Sequence, residues 1–227
     1  MDPLQLREKE IFETLKKIKR YDFVLIGGYA VTAYTIPRFS VDCDIVVKNN
    51  ADAHRITRVL TKAGYSEAED TKKFSYSGTF TRYEKQVYKN FRVSVDILIT
   101  AVFDRQTSCK FTADWVFSNS SVREVKGKTI TEVLKVRIVD RDALIVMKFA
   151  CGRLSDIRDV FMLLPLAKDT EWIKHEVAQR YDFDKAFKKI KDKVLSAQFK
   201  NDLQGVFGYI DPNIFEKHRK AVVELGE

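Results

Sequence analysis

Two aspartates, Asp42 and Asp44, lie one residue apart in the apolar, β-branched run VDCDIVV. Side chains two residues apart on a β-strand point to the same face, which places both carboxylates together and Cys43 in the core behind them. Asp96 has the same setting in a second segment of strand character, RVSVDILIT. If the two strands are neighbours, three carboxylates converge on one patch and repel one another, because burying unpaired charge is costly.

A divalent cation relieves such repulsion. Mg²⁺ takes oxygen ligands, commonly one or two carboxylates together with substrate phosphates, and Mn²⁺ accepts the same donors. Two such ions about 4 Å apart stabilise the attacking and leaving oxygens of a phosphoryl displacement. The sequence therefore predicts a metal site at Asp42, Asp44 and Asp96, where Asp96 also takes the proton of the attacking hydroxyl.

A glycine pair, Gly27 and Gly28, follows the apolar run FVLI and precedes YAVTAYTI, a segment of helical character. This order predicts a buried strand, a tight turn and a helix that starts at the glycines. Free amides at such a turn and the dipole of the helix favour a phosphate group. A nucleoside triphosphate held by these amides at one end would reach the metal site at the other.

The glycine pair, a spacer of thirteen residues, the Asp-Cys-Asp triplet and Asp96 together resemble the signature of the nucleotidyltransferase superfamily whose fold is shared with DNA polymerase β. Within it, GGYAVTAYTIPRFSVDCDIVV is most similar to the AbiEii/AbiGii-type toxin nucleotidyltransferases. The resemblance implies Mg²⁺-dependent transfer of a nucleoside monophosphate from a triphosphate to a hydroxyl, with an antitoxin protein as an expected partner. It also implies phosphate contacts for Ser40 and charge neutralisation by Arg38.

A later segment, ALIVMKFACGRLSDIRDVFMLL, resembles a second motif of the same group. The family implies nucleotide contacts for its lysine, here Lys148, and Arg153, Asp156 and Asp159 match the rest of the motif. Two other interpretations stay open. Lys148 could extend to the surface as an isolated lysine does, and Arg153 with Asp156, at positions i and i+3, could form an ordinary helical ion pair.

The elements that must position these residues divide the chain into two parts. The pattern is α+β: a polymerase β-like α/β domain with a mixed sheet over residues 1–138, then an all-helical domain over 139–227. Apolar spacing predicts a first helix over 3–20, and two long antiparallel strands over 73–98 with a turn near Lys89 and Asn90. Residues 104–120 are expected to form an irregular connection, and Gly152 and Pro165 to end two successive helices.

Composition and charge restrict the function classes. Three cysteines give no disulfide framework, and neither a signal peptide nor an apolar run of membrane-spanning length is found, which predicts a cytoplasmic protein without membrane contact. The net charge is +8, of which +7 falls in residues 1–167. Such an excess fits a polyanionic partner, although solubility alone explains it equally well.

The acceptor of the transferred group is expected to be RNA, with a tRNA 3′ end as first candidate. Basic and aromatic residues alternate over 72–92, a composition that suits single-stranded nucleic acid and equally a hairpin with an apolar face and solvated lysines. Two rival functions stay open: a nucleotide-binding regulatory module without turnover, and an adenylyltransferase that modifies a small molecule such as an aminoglycoside, whose pocket should be acidic.

Overall fold

The fold is described from a computed structural model over residues 2–69 and 79–226. It includes a short 3-10 helix, Leu164–Leu166. In chain order the elements are α1 (Pro3–Ile18), β1 (Val24–Ile26), α2 (Gly27–Val31), β2 (Asp42–Val47), α3 (Asn50–Lys62), β3 (Ser66–Glu67), β4 (Phe80–Tyr88), β5 (Phe91–Ile99), β6 (Ala101–Phe103), β7 (Lys110–Thr112), α4 (Ala113–Ser118), β8 (Ser120–Lys126), β9 (Val133–Val139), α5 (Arg141–Cys151), α6 (Leu154–Leu163), α7 (Thr170–Ala178), α8 (Phe183–Val194), α9 (Phe199–Phe207) and α10 (Pro212–Glu224).

Seven strands of the described residues form one mixed sheet in the order β3-β4-β5-β2-β1-β9-β8. The central strand β2 runs antiparallel to β1 and parallel to β5. Its register places Asp44 beside Asp96 on β5 and beside Ile26, the last residue of β1. The predicted adjacency of the two aspartate-bearing strands is therefore confirmed.

The two faces of the sheet carry different layers. Arg82 on β4 lies on the carboxylate face, and Lys85, three residues later, points to the other face and pairs with Glu10 of α1 at 2.9 Å. Helix α1 contacts β4 and β5 there, and α3 packs beside α1. The α1–α3 layer thus covers the face of the sheet opposite the three aspartates.

The C-terminal half is helical, as predicted. Helix α5 packs on α2 and is surrounded by α6, α7 and α8. Buried apolar side chains of both halves, from Ile11 in α1 to Phe199 in α9, belong to one continuous cluster. The division into domains 1–138 and 139–227 stays a prediction, although every described strand ends at or before Val139.

Most predicted elements are confirmed within a few residues. The first helix covers Pro3–Ile18, with Asp2 as its N-cap, and α5 ends at Gly152 in the left-handed conformation (φ 59°). The two long strands are confirmed from Phe80 onward, with Lys89 at positive φ in the turn. The earlier part of that prediction, together with Lys72 and Lys73, lies outside the described residues.

Two sequence-based expectations were wrong. The helix after the glycine pair has only five residues, because the chain leaves α2 through turns in which the hydroxyls of Thr32 and Thr35 donate to the carbonyls of Tyr29 and Val31. The connection 104–120 is not irregular throughout, since it contains β7 and α4, whose first turn is capped by the Thr112 hydroxyl.

No helix of the described residues is long and apolar enough to cross a bilayer.

Candidate active site

The three aspartates lie on β2 and β5, beside the end of β1 and on one face of the sheet. Asp96 is 1% exposed and Asp44 is buried, whereas the Asp42 side chain, at the start of β2, is 36% exposed. Ser94 donates a hydrogen bond to Asp42 from the neighbouring strand. Cys43 faces the opposite side and is fully buried, and burial raises the pKa of its thiol, as expected for a core residue.

The glycine pair lies against these carboxylates. Gly27 has φ +67°, and a Cβ on it would collide with the Asp44 carboxylate. A Cβ on Gly28 would collide with the Ser40 hydroxyl and come within 3.2 Å of the Arg38 guanidinium. Both positions therefore require glycine, because the turn touches three predicted site residues. The five-residue α2 has only a small dipole, which leaves the turn amides as the groups that could bind phosphate.

Arg82, which the sequence analysis did not place in the site, offsets part of the negative charge of the carboxylate cluster. Its guanidinium makes two hydrogen bonds to Asp96, 2.7 Å from Nε and 2.6 Å from Nη2, and Nη2 lies 3.4 Å from Asp42. Burial raises the pKa of Asp96 to about 6, although the pair with Arg82 opposes this shift. Burial also disfavours the charged form of Arg82, but the aspartates outweigh it and raise the pKa of Arg82.

Asp42, Asp44 and Asp96 supply the oxygen donors that Mg²⁺ and Mn²⁺ prefer. Nevertheless, over residues 2–69 and 79–226 no three His, Cys, Asp or Glu side chains are arranged as a ready metal site. The guanidinium of Arg82 instead spans two of the three carboxylates. The donor chemistry fits a divalent cation, and the present arrangement holds a guanidinium at the same carboxylates.

A second charged cluster joins β2 to α5 and α6. Arg38 makes a bidentate pair with Asp159 at 3.0 and 2.8 Å, and Lys148 lies 2.8 Å from Asp156 and 3.0 Å from Asp159. Burial opposes the charges of Lys148 and Asp159, but their ion pairs outweigh it, so the pKa of Lys148 is raised and that of Asp159 lowered. Lys148, 13% exposed at its side chain, does not extend to the surface as an isolated lysine would.

The Arg153–Asp156 ion pair considered from spacing alone does not form. The Arg153 side chain instead pairs with Asp104, a buried aspartate that also accepts from the amides of Gln106 and Thr107. Asp156 accepts from the backbone N–H of Arg153 at 3.2 Å, which caps the start of α6. Arg153 therefore ties the β6–β7 connection to the helical half.

A cleft of about 390 Å³ brings the two clusters together. The site residues predicted from the sequence, including Arg153, line this cleft. The exception is Asp159, which is buried behind Arg38 and Lys148. The sequence analysis missed several lining residues that carry no motif of their own: Phe39, Val41, Arg82, Ser155, Arg158 and Val206.

The hairpin of β4 and β5 offers little free positive charge over its described residues. Arg82 turns into the cleft, Lys85 pairs with Glu10 and Arg92 with Glu84. Phe80, Tyr83 and Val87 pack against the core. This favours the interpretation as a hairpin with an apolar face over a nucleic-acid surface.

Comparison with known proteins identifies a family for most of the chain. The sequence model of the family described as nucleotidyl transferase AbiEii toxin, type IV toxin–antitoxin system, matches residues 12–222. No curated protein matches this chain.

Among solved structures, a candidate nucleotidyltransferase from H. pylori is 15% identical over 99% of this chain and 95% of its own, with a TM-score of 0.51. Another candidate nucleotidyltransferase, from Thermotoga maritima, is 15% identical over 65% of this chain and 83% of its own, with a TM-score of 0.40. The first of these likenesses concerns the fold alone.

Proposed function

Because this chain belongs to the AbiEii nucleotidyltransferase toxin family and is therefore a nucleotidyltransferase, we propose that it transfers a nucleoside monophosphate to a hydroxyl of RNA. The observation that carries the proposal is the cleft in which three carboxylates face the glycine turn and the cations Arg38 and Lys148. An acidic cluster beside cationic groups suits a metal-bound triphosphate better than a neutral substrate.

In this reaction the acceptor oxygen attacks the α-phosphorus, the bond to the bridging oxygen of the β-phosphate breaks, and pyrophosphate leaves. Asp96 takes the proton of the hydroxyl. The amides at Gly27 and Gly28 and the hydroxyl of Ser40 bind phosphate oxygens, and Arg38 and Lys148 offset the negative charge of the triphosphate. Asp156, Asp159 and Arg153 hold these two cations and α6 in position.

Asp42, Asp44 and Asp96 are the residues that would hold Mg²⁺ or Mn²⁺. When bound, the metal supplies electrostatic stabilisation of the attacking and leaving oxygens. Asp96 cannot pair fully with Arg82 and bind a cation with the same oxygens, so Arg82 and the metal compete for the cluster. Arg82 thus serves as the counter-ion of the empty cleft.

RNA is the proposed acceptor class because residues 1–167 carry +7 of the net charge, and because the aspartates of the cleft are accompanied there by Arg38, Arg82, Lys148, Arg153 and Arg158, which disfavour a cationic small molecule. The 3′ end of a tRNA is the first candidate. An antitoxin protein is the further partner that the family membership suggests.

The test supplies the purified protein with Mg²⁺, each α-labelled nucleoside triphosphate in turn, and a cell extract separated into RNA, protein and small molecules. We expect label on RNA, and none with the variant Asp44→Asn, which loses one oxygen donor and should lower transfer by at least about a hundredfold. Label on protein or on a small molecule would contradict the RNA assignment. Undiminished transfer by Asp44→Asn would contradict the carboxylate site itself.

A further inference from the structure

A groove of about 680 Å³ lies between α1 and α3, and it shares no lining residue with the carboxylate cleft. Arg55, Arg58 and Lys62 lie along one side of α3 at positions i, i+3 and i+7. Lys17, in the last turn of α1, and Arg20, just beyond its end, line the other side. Five cations therefore face one another across the space between two helices.

These cations are poorly compensated within the protein. Within residues 2–69 and 79–226 no Asp or Glu lines the groove, and Arg55 alone of its cations forms a salt bridge, an exposed one of 3.2 Å to Asp52. Arg20 lies over the ring of Tyr21 at 5.0 Å, so it is held in place by a neutral group. Like charges at helical spacing destabilise the folded chain, and an anion in the groove would remove this repulsion.

The chemistry of the lining favours a phosphate backbone over an acidic protein. Protein interfaces have an apolar or aromatic centre and are depleted in lysine, whereas contacts to nucleic acid are made largely by Arg and Lys to phosphate oxygens. Here the apolar lining is limited to Val59, Ala63 and the ring of Tyr21. Moreover, Arg82, Lys85 and Arg92 of the β4–β5 hairpin pair with Asp96, Glu10 and Glu84, and Lys89 in its turn lies over the ring of Tyr88, which leaves this groove as the stronger basic surface.

The position of the groove defines which part of a nucleic acid it could hold. Because the α1–α3 layer covers the face of the sheet opposite the aspartates, the reacting hydroxyl cannot lie there. A folded RNA, unlike a short strand, is large enough to reach the cleft with one end and the groove with another part.

Resting on the proposed transfer to RNA, we propose that the groove between α1 and α3 binds the phosphate backbone of a folded acceptor RNA at a distance from its reacting end. The groove then supplies affinity for the body of the acceptor, and the cleft supplies the chemistry.

The test measures direct binding, without nucleoside triphosphate, of the full chain to a fluorescent tRNA transcript and to an oligonucleotide of only its last few nucleotides. The groove variant combines Lys17→Gln, Arg58→Gln and Lys62→Gln. Its matched control removes the same charge from α10 by Lys217→Gln, Arg219→Gln and Lys220→Gln. Glutamine keeps helix propensity, and thermal melts confirm that both variants fold.

For the groove variant we expect affinity for the transcript to fall by about tenfold at ~0.1 M salt, and the log–log salt slope to lose about 1 per cation removed. Its affinity for the short oligonucleotide should not change. The α10 control variant should change neither the affinity for the transcript nor the affinity for the oligonucleotide. Equal effects of the two variants, or an unchanged salt slope in the groove variant, would overturn the proposal.

Poly-L-glutamate is the third probe. If the wild-type protein binds it more tightly than the transcript and the groove variant loses only that binding, the surface is one for an acidic protein and the RNA proposal is wrong. Failure of the proposed function is a separate result, since it appears as absence of label on RNA in the transfer assay. A chain that labels RNA while the groove variant binds the transcript normally would overturn only the groove proposal.

Discussion

At the scale of single residues, Arg82 decides the electrostatic state of the cleft. Asp96 is almost completely buried. A buried carboxylate without a partner either destabilises the folded protein by several kcal/mol or takes up a proton. The bidentate pair with Arg82 is the contact that keeps it charged. One guanidinium therefore stabilises the fold and, in the proposed function, also competes with the metal.

We expect Arg82→Gln to lower the free energy of unfolding in EDTA by about 3 kcal/mol, because it removes one partner of a buried ion pair. The stabilisation gained from Mn²⁺ should increase, since the ion no longer competes with a guanidinium. Denaturant unfolding in EDTA and thermal melts across a Mn²⁺ titration measure the two effects. The control Arg92→Gln, which breaks the exposed pair with Glu84 on the same two strands, should change neither by much. A smaller Mn²⁺ shift in Arg82→Gln would contradict the competition.

Asp159 makes a pH-dependent contribution to stability. Burial alone would raise its pKa, but Lys148 and Arg38 lower it below the usual range of about 3.9. A carboxyl whose pKa is lowered by folding contributes stability that is complete above its unfolded pKa and is lost as the pH falls through its folded pKa.

Asp159→Asn should therefore lose about 3 kcal/mol or more of unfolding free energy at neutral pH, since two buried cations lose a shared anion. The difference from wild type should shrink as the pH falls below about 4. Urea unfolding at a series of pH values measures it. A difference that is constant with pH would show that Asp159 acts through packing and not through its charge.

At the scale of elements, an irregularity in one strand determines which residues reach the cleft. The β4–β5 register shifts between Gln86 and Tyr88, so that Tyr88 pairs with Phe91 but Arg82 pairs with Asp96. Without this bulge, the register of the Tyr88–Phe91 pair would continue along both strands and place Ile97 opposite Arg82. The Arg82 side chain would then point to the other face of the sheet. Arg82 reaches the site because of one extra residue in β4.

Deletion of Val87, the extra residue, should move Arg82 away from Asp96. We expect a loss of stability in EDTA at least as large as that of Arg82→Gln. The double variant, with both changes, should be no less stable than the deletion alone, because the ion pair is already lost. A double-mutant cycle from urea unfolding measures the coupling, and additive losses would show that the register is kept by other contacts.

At the scale of the whole molecule, the sheet and the helical half share one apolar cluster and one cleft. Arg38 near β2 pairs with Asp159 on α6, and Arg153 pairs with Asp104 beside β6. The cleft exists only where the two halves meet, since β2 and β5 supply the carboxylates and α5 and α6 supply Lys148 and Asp156.

We therefore expect the chain to unfold in a single cooperative transition, in which loss of the helical half exposes the apolar face of α2 and the sheet. Calorimetric and van't Hoff enthalpies should agree. A fragment ending at residue 138 should lack a cooperative melt at the wild-type midpoint. Two resolved transitions, or a stable fragment, would support independent domains at the predicted boundary.

The sequence by itself determined most of the elements, and the motif. Alternation in VDCDIVV fixes the shared face of Asp42 and Asp44, because the side-chain period of a strand is two. Gly152 determines the end of α5, and Asp211 followed by Pro212 determines the start of α10, both through local backbone preference. These features depend on neighbours along the chain, so one sequence is enough to predict them. The same holds for the glycine pair, whose spacing from the aspartates is a property of the chain alone.

The tertiary structure decided which charges meet. Three of these contacts join residues that lie 8 to 49 positions apart in the chain. Arg82 pairs with Asp96 and is not a solvated cation of the hairpin. Arg153 pairs with Asp104 and not with Asp156, and Lys148 lies between two aspartates. Local propensity carries no information on such partners. They are selected because a buried charge must find its counter-charge wherever packing brings one within reach, and a single bulge in β4 is enough to change that choice.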